Sequence, residues 1–169
     1  VIDNKADEEV EAMVQAAKGC VYWPGSTDLV DAAAVVRTLE RIRQRYPTIR
    51  GLINCAGVAA AQRTVHLKTH EPHDLDLFQF VMNVNVVGTF NMSRLVAAMM
   101  ASNEPVDGER GVIVNVSSVA YQDGQIGQVA YAASKGAVAS MTLPMTRDLA
   151  VFGIRVCTIA PGLFGTLEM

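Results

Sequence analysis

Three runs of this chain, "GLINCAG" (51–57), "GVIVNVSS" (111–118) and "IRVCTIAPG" (154–162), carry apolar residues without strict alternation. A strand with one wet face alternates, whereas a near-continuous apolar run bounded by turn residues suits a strand covered on both faces. Helix-length stretches lie between and around these runs, at 29–45, roughly 74–101 and 130–150. The same rhythm opens the chain, with "VID", a helical stretch over 6–18 and "CVYW". Strands and helices in this alternation build a parallel sheet with crossover helices. A Rossmann-like, doubly wound α/β sheet in three layers, α/β/α, is therefore expected, though incomplete. The turn-rich segments "EPVDGERG" and "YQDGQIGQ" read as loops, the first ahead of the strand at 112 and the second ahead of the helix at 130. With 169 residues, 50% of them hydrophobic, one core suffices, and the chain reads as a single domain over 1–169.

Composition removes several classes of function. The net charge is -3 and no basic cluster exceeds the scattered "RTLERIRQRY", so no direct nucleic-acid contact is expected. Cys20, Cys55 and Cys157 lie far apart and are odd in number, which argues against a disulfide framework or a zinc site and for a reducing compartment. Apolar stretches such as "LVAAMMA" fall well short of the roughly 20 residues of a membrane span, so no membrane partner is expected. His66, His70 and His73 cluster in a polar loop without a nearby cysteine, where a solvated loop is a better reading than a metal site.

In an open parallel sheet ligands bind beyond the carboxyl ends of the strands. Those ends carry Asp3, then "STD" with Asp28, "NCAG" (54–57), Ser117 with Ser118, and "PGLFGT" (161–166). Tyr131 and Lys135, four residues apart at the start of a helix, share one face. A neighbouring ammonium favours the phenolate over the phenol, so such a tyrosine can hand a proton to a carbonyl or take one from an alcohol. By itself the pair is better read as a surface tyrosine and lysine that merely pack. Its company narrows the reading: Ser118 ends an apolar strand thirteen residues earlier, and the small residues of "NCAG" let backbone approach a ligand closely.

With these elements together the chain resembles the short-chain dehydrogenase/reductase family: "NCAG" resembles its NNAG element, "NVNVVG" its asparagine-bearing helix, "YAASK" its YxxxK motif and "APGLFGT" its PG element. Within it, "NEPVDGERGVIVNVSSVAYQDGQIGQVAYAASKGA" is most similar to members that act on 3-hydroxyacyl-CoA and hydroxysteroids. The resemblance implies an NAD-dependent oxidoreductase that interconverts a secondary alcohol and a ketone, with an acyl-CoA or steroid as the small-molecule substrate. It implies Tyr131 as the acid/base, Lys135 as the ammonium that favours its phenolate and bonds the nicotinamide ribose, and Ser118 as the hydroxyl that orients the substrate oxygen. Asn85 matches the asparagine that positions a relay water, and Gln125 a substrate contact. For the cofactor it implies Asp28 and Leu29 at the adenine, Cys55, Ala56 and Gly57 along the adenosine ribose, and Phe164 and Thr166 at the carboxamide. Asp3 would accept hydrogen bonds from the ribose hydroxyls and repel a 2′-phosphate, favouring NAD over NADP; as an alternative it caps the helix that follows.

Only two residues precede Asp3, whereas a Gly-rich phosphate-binding turn stands about 20 residues ahead of such an acidic residue. The chain is thus expected to be a fragment of a longer enzyme, binding NAD poorly on its own. Two further readings stay open. The helices over 86–101 and beyond Lys135 are apolar on more than one face, which fits deep burial or a dimer or tetramer contact. A truncated copy could instead be a non-catalytic interaction or scaffold subunit in mitochondrial tRNA processing. By resemblance the location is mitochondrial, otherwise cytoplasmic.

Overall fold

A computed structural model describes residues 27–163. The elements expected over "VID", 6–18 and "CVYW", and the candidate site residues Asp3, Phe164 and Thr166, lie outside the described residues. Helix α1 spans Ala32–Arg45, where Asp31 Oδ1 accepts hydrogen bonds from the N–H groups of Ala33 and Ala34, both at 2.9 Å. That cap sets the start three residues later than the expected 29, because Asp28 holds its own turn by accepting from Val30 N–H. Arg43 and Arg45 in the last turn complement the helix dipole, and Pro47 follows the end.

Strands β1 (Gly51–Asn54), β2 (Gly111–Val116) and β3 (Ile154–Ile159) form one parallel sheet in the order β1-β2-β3. Asn54 pairs with Asn115, and Asn115 with Thr158. Between β1 and β2 the expected helix over 74–101 arrives as three pieces. Helix α2 (Leu75–Met82) is capped by Asp74, a π-helical turn follows over Asn83–Gly88, and helix α3 covers Thr89–Ala101. Helix α4 (Val129–Leu149) joins β2 to β3 and carries Pro144 inside it. A short 3-10 turn then leads to Gly153, which ends it in the left-handed conformation at φ 67°. A Cβ there would collide with the Gly108 carbonyl, so this corner admits only glycine.

One cluster of buried side chains unites Val35 and Leu39 of α1, Met92, Val96 and Met100 of α3, Met145 of α4, and Ile113, Ile154 and Val156 of the sheet. Among the described residues all of these helices therefore lie on one face of the sheet. The opposite face is less covered, with Ile53 67% and Ile159 52% exposed. The second helical layer of the three-layer arrangement is not among the described residues. At the amino ends of the strands, Arg50 donates to Glu104 O, Arg110 to Asn103 O and Phe152 O, and Arg155 pairs with Glu109 at 2.8 Å. These contacts fasten the end of the sheet away from the site.

Candidate active site

The carboxyl ends of the three strands converge on a cleft of about 290 Å³ lined by Cys55, Gly57, Val58, Ser117, Ser118, Tyr131, Lys135 and Pro161. The ladder continues past the strands to close its floor: Ser117 N–H donates to Ile159 O at 2.8 Å and Val119 N–H to Pro161 O at 3.0 Å. Just beneath, Asn54 Nδ2 donates to Ser93 Oγ and to Asn115 Oδ1, at 3.0 and 2.8 Å, tying β1 to α3 and β2. Asn115 Nδ2 is buried without a hydrogen-bond partner among the described residues.

The two serines part company here. Ser117 is buried and its hydroxyl donates to the Lys135 carbonyl at 2.7 Å, so it is a fastener between β2 and α4. Ser118 is half-buried, heads the 3-10 turn Val119–Tyr121 by accepting from Ala120 N–H at 3.2 Å, and presents its hydroxyl at the cleft.

Lys135 is only 5% exposed, and its Nζ donates to Val116 O at 2.9 Å while standing 5.7 Å from the centre of the Tyr131 ring. Burial pushes the Lys135 ammonium below the ordinary lysine value, with charge at Cys55 acting the other way. An ammonium has three donors, and one is taken by Val116; the others are available to a hydroxyl or diol beside Tyr131.

Asn85 sits behind this pair at 1% exposure, within the π-helical turn. Its Oδ1 accepts from Val58 N–H at 2.8 Å, and its Nδ2 donates to Val58 O and to Ser134 Oγ, both at 2.9 Å. Gly57 packs directly on the group: a Cβ there would lie 3.2 Å from Asn85 Oδ1 and 3.3 Å from Lys135 Nζ. A larger residue would press on both side chains.

The remaining candidates are dispersed. Ala56 and Leu29 line a separate apolar groove of about 810 Å³ along the outer edge of β1, which Cys55 shares with the cleft. Asp28 is exposed and caps its own turn. Gln125 is exposed in the loop after β2, its N–H donating to Gln128 Oε1, and does not line the cleft. That loop is tied to the one after β1 by Gln62, whose N–H donates to Gly127 O and whose side chain accepts from Asp74 N–H, both at 2.9 Å. Gln62 and Ser134 are absent from the sequence-derived candidates. For Ser134 a signal exists, since it stands between Tyr131 and Lys135 in "YAASK" on the buried side of the helix.

A family model described as short chain dehydrogenase matches residues 1–168. The chain belongs to that family. It is 49% identical over 162 residues to 3-hydroxyacyl-CoA dehydrogenase type-2 of Bos taurus, covering 95% of this chain and 61% of the relative. Its fold matches the crystal structure of a 3-hydroxyacyl-CoA dehydrogenase type-2 from Mycobacterium avium with a TM-score of 0.86 at 35% identity, over 99% of this chain and 67% of that one. It also matches an NAD+-bound xylitol dehydrogenase with a TM-score of 0.83 at 30% identity, over 98% and 60% of the two chains. The chain thus spans less than two thirds of the bovine relative's length. Its parallel sheet and flanking helices are the Rossmann-like fold of that family. No helix of the described residues is long and apolar enough to cross a membrane.

Proposed function

We propose that this chain carries the proton-transfer half of an NAD-dependent dehydrogenase that interconverts a 3-hydroxyacyl thioester and its ketone, with hydroxysteroids as a second substrate class. The observation that supports it most is the meeting of Ser118, Tyr131 and Lys135 on one cleft, backed by Asn85, in a chain 49% identical to a 3-hydroxyacyl-CoA dehydrogenase. In this reading Ser118 holds the substrate oxygen and the Tyr131 hydroxyl takes its proton in the oxidative direction. Lys135 stands beside the Tyr131 ring and keeps its remaining donors for the ribose hydroxyls of a nicotinamide cofactor. The donor set fits such a group, because an ammonium beside a phenol suits a ribose diol and Gly57 leaves the backbone bare there. Bound there, the nicotinamide supplies hydride transfer, while the protein supplies placement and acid/base chemistry. Preference for NAD rests on Asp3, and the adenine and carboxamide ends on Asp28, Leu29, Cys55, Ala56, Phe164 and Thr166. Gln125 would reach substrate only if its loop closes over the cleft.

The relatives reported above bear dehydrogenase names, which supports the catalytic reading over the scaffold one. A mitochondrial location and a homo-oligomer belong to the same proposal. For the latter, α3 and α4 leave a groove of about 530 Å³ between them, lined by Phe90, Ala97, Ala101, Met145, Leu149 and Phe152. The test is cofactor reduction on adding 3-hydroxybutyryl-CoA, run in parallel with a hydroxysteroid and with NADP in place of NAD. Reduction of NAD by the thioester supports the proposal. Binding of both ligands, seen by saturation-transfer NMR, without any reduction of cofactor would refute it.

A further inference from the structure

Asn85 and Lys135 come from different elements, so something must set their distance. Asn85 uses its whole amide. Two of its three hydrogen bonds form a closed ring with the backbone of Val58, fixing the loop after β1 to the π-helical turn. The third runs to Ser134 Oγ at 2.9 Å and reaches the helix that carries Tyr131 and Lys135. Ser134 is 0% exposed, and its own hydroxyl proton goes to Tyr131 O at 2.7 Å, one turn back in the helix. A serine hydroxyl has one donor and can accept in return, so a single atom receives the Asn85 amide and holds the carbonyl of the proposed acid/base.

The same junction borders Lys135. Gly57, next to the bracketed Val58, lies where a Cβ would come within 3.3 Å of Lys135 Nζ. The position of Gly57 follows from Val58, that of Val58 from Asn85, and that of Asn85 relative to α4 from Ser134.

We propose that Ser134 is a positioning residue of the site: its hydroxyl registers the catalytic helix against the Asn85–Val58 bracket and thereby holds Lys135 in its buried place beside Tyr131. This rests on the reading of Tyr131 and Lys135 as the reacting pair, but it makes a separate claim about what holds them. Ser134 touches neither the cleft nor any reacting group, and alanine at 134 keeps helix propensity and most of the packing while removing the acceptor. Asn85 then loses its one tie to α4.

Trace labelling of lysine amines with acetic anhydride over a range of pH, read by mass spectrometry, tests this on the intact chain without requiring turnover. Among the described residues the titratable groups facing Lys135 are Tyr131 on its own helix and Cys55 at the end of β1; β2 offers it the Val116 carbonyl, and the π-helical turn the neutral Asn85 amide. In the wild type, Lys135 should label several-fold more slowly than the exposed Lys68 and titrate at lower pH. In Ser134→Ala, checked to be folded by circular dichroism, Lys135 should label several-fold faster, with its titration moved up toward that of Lys68. Ser134→Thr, which keeps the hydroxyl, should restore the wild-type profile. If Ser134→Ala melts the chain, Ser134→Cys keeps a side chain of similar size with only a weak acceptor, and the same shift is expected. A folded Ala or Cys variant whose Lys135 profile matches wild type overturns the positioning role. A wild-type Lys135 that labels like Lys68 overturns it too, and also fails the site geometry beneath it, whereas loss of the active-site reading alone shows as cofactor-dependent turnover that survives Tyr131→Phe.

Discussion

Replacing Asn85 by alanine removes three hydrogen bonds at a position 1% exposed. At about 1 kcal/mol net apiece their loss amounts to about 3 kcal/mol. Val58 is half-buried and can recover water, which lowers the figure, while the space vacated behind Gly57 raises it. The expected loss is about 2–4 kcal/mol, a large share of the roughly 5–15 kcal/mol by which domains are stable. The same region supplies an internal control. Asn91, 6% exposed in α3, accepts one hydrogen bond, from Arg94 Nε at 3.0 Å, and Asn91→Ala should cost about 1 kcal/mol. Urea unfolding of the two variants beside wild type, with equal slopes checked, measures both changes. A loss at Asn85 no larger than that at Asn91 would refute the argument, because it would mean that the amide bracket and the tie to α4 contribute nothing beyond ordinary burial.

Three further outcomes follow from the geometry. Ser117→Ala should lower stability by about 1 kcal/mol through its lost bond to the Lys135 carbonyl, whereas Ser118→Ala should leave the unfolding midpoint nearly unchanged and reduce turnover; the same effect from both in either assay would contradict the division. Burial holds the folded Lys135 pKa below its ordinary value, so between those two values the unfolded chain binds more protons and stability rises with pH. Lys135→Met should accordingly show its greatest gain over wild type near neutral pH, shrinking as pH climbs toward the ordinary lysine range, and a gain that is flat with pH in urea titrations would exclude a buried ammonium. If α3 and α4 form the subunit contact, Phe90→Asp, at a 47% exposed position beside the groove, should shift sedimentation toward a monomer without altering circular dichroism; an unchanged oligomer would move the contact elsewhere.

The apolar runs make the parallel strands legible: one face buries Ile113, Ile154 and Val156 against the helices, while Ile53 and Ile159 carry the apolar pattern onto the opposite face, which is less covered among the described residues. Within the apolar run 51–57, strand β1 stops at Asn54, and Cys55 and Ala56 beyond it border the cleft and groove. The π-helical turn was not legible, because Val84, Val86 and Val87 continue the helical apolar pattern; within it Gly88 lies close to Leu29, where a Cβ would come within 3.1 Å. The preference for Ser118 over Ser117 comes from the family resemblance, and in the structure the Ser117 hydroxyl is engaged with Lys135 O. The position of Ser134 within "YAASK" places it on the buried side of the helix, but its bond to Asn85, forty-nine residues distant in sequence, has no local signature. Gln125 was placed by its loop, and loops take their geometry from contacts such as Gln62 with Gly127 that no local pattern encodes.

The claim that Tyr131 transfers the proton is tested most directly by Tyr131→Phe, which deletes one oxygen from the cleft and leaves the ring over Lys135. Initial rates of cofactor reduction with 3-hydroxybutyryl-CoA, measured on the full-length protein and compared with wild type alongside NAD affinity, provide the measurement. The account predicts a fall in turnover of roughly 100-fold or more, the usual contribution of a positioned general acid/base, with NAD affinity nearly unchanged. Turnover within a few-fold of wild type would contradict it and remove Tyr131 from its proposed role.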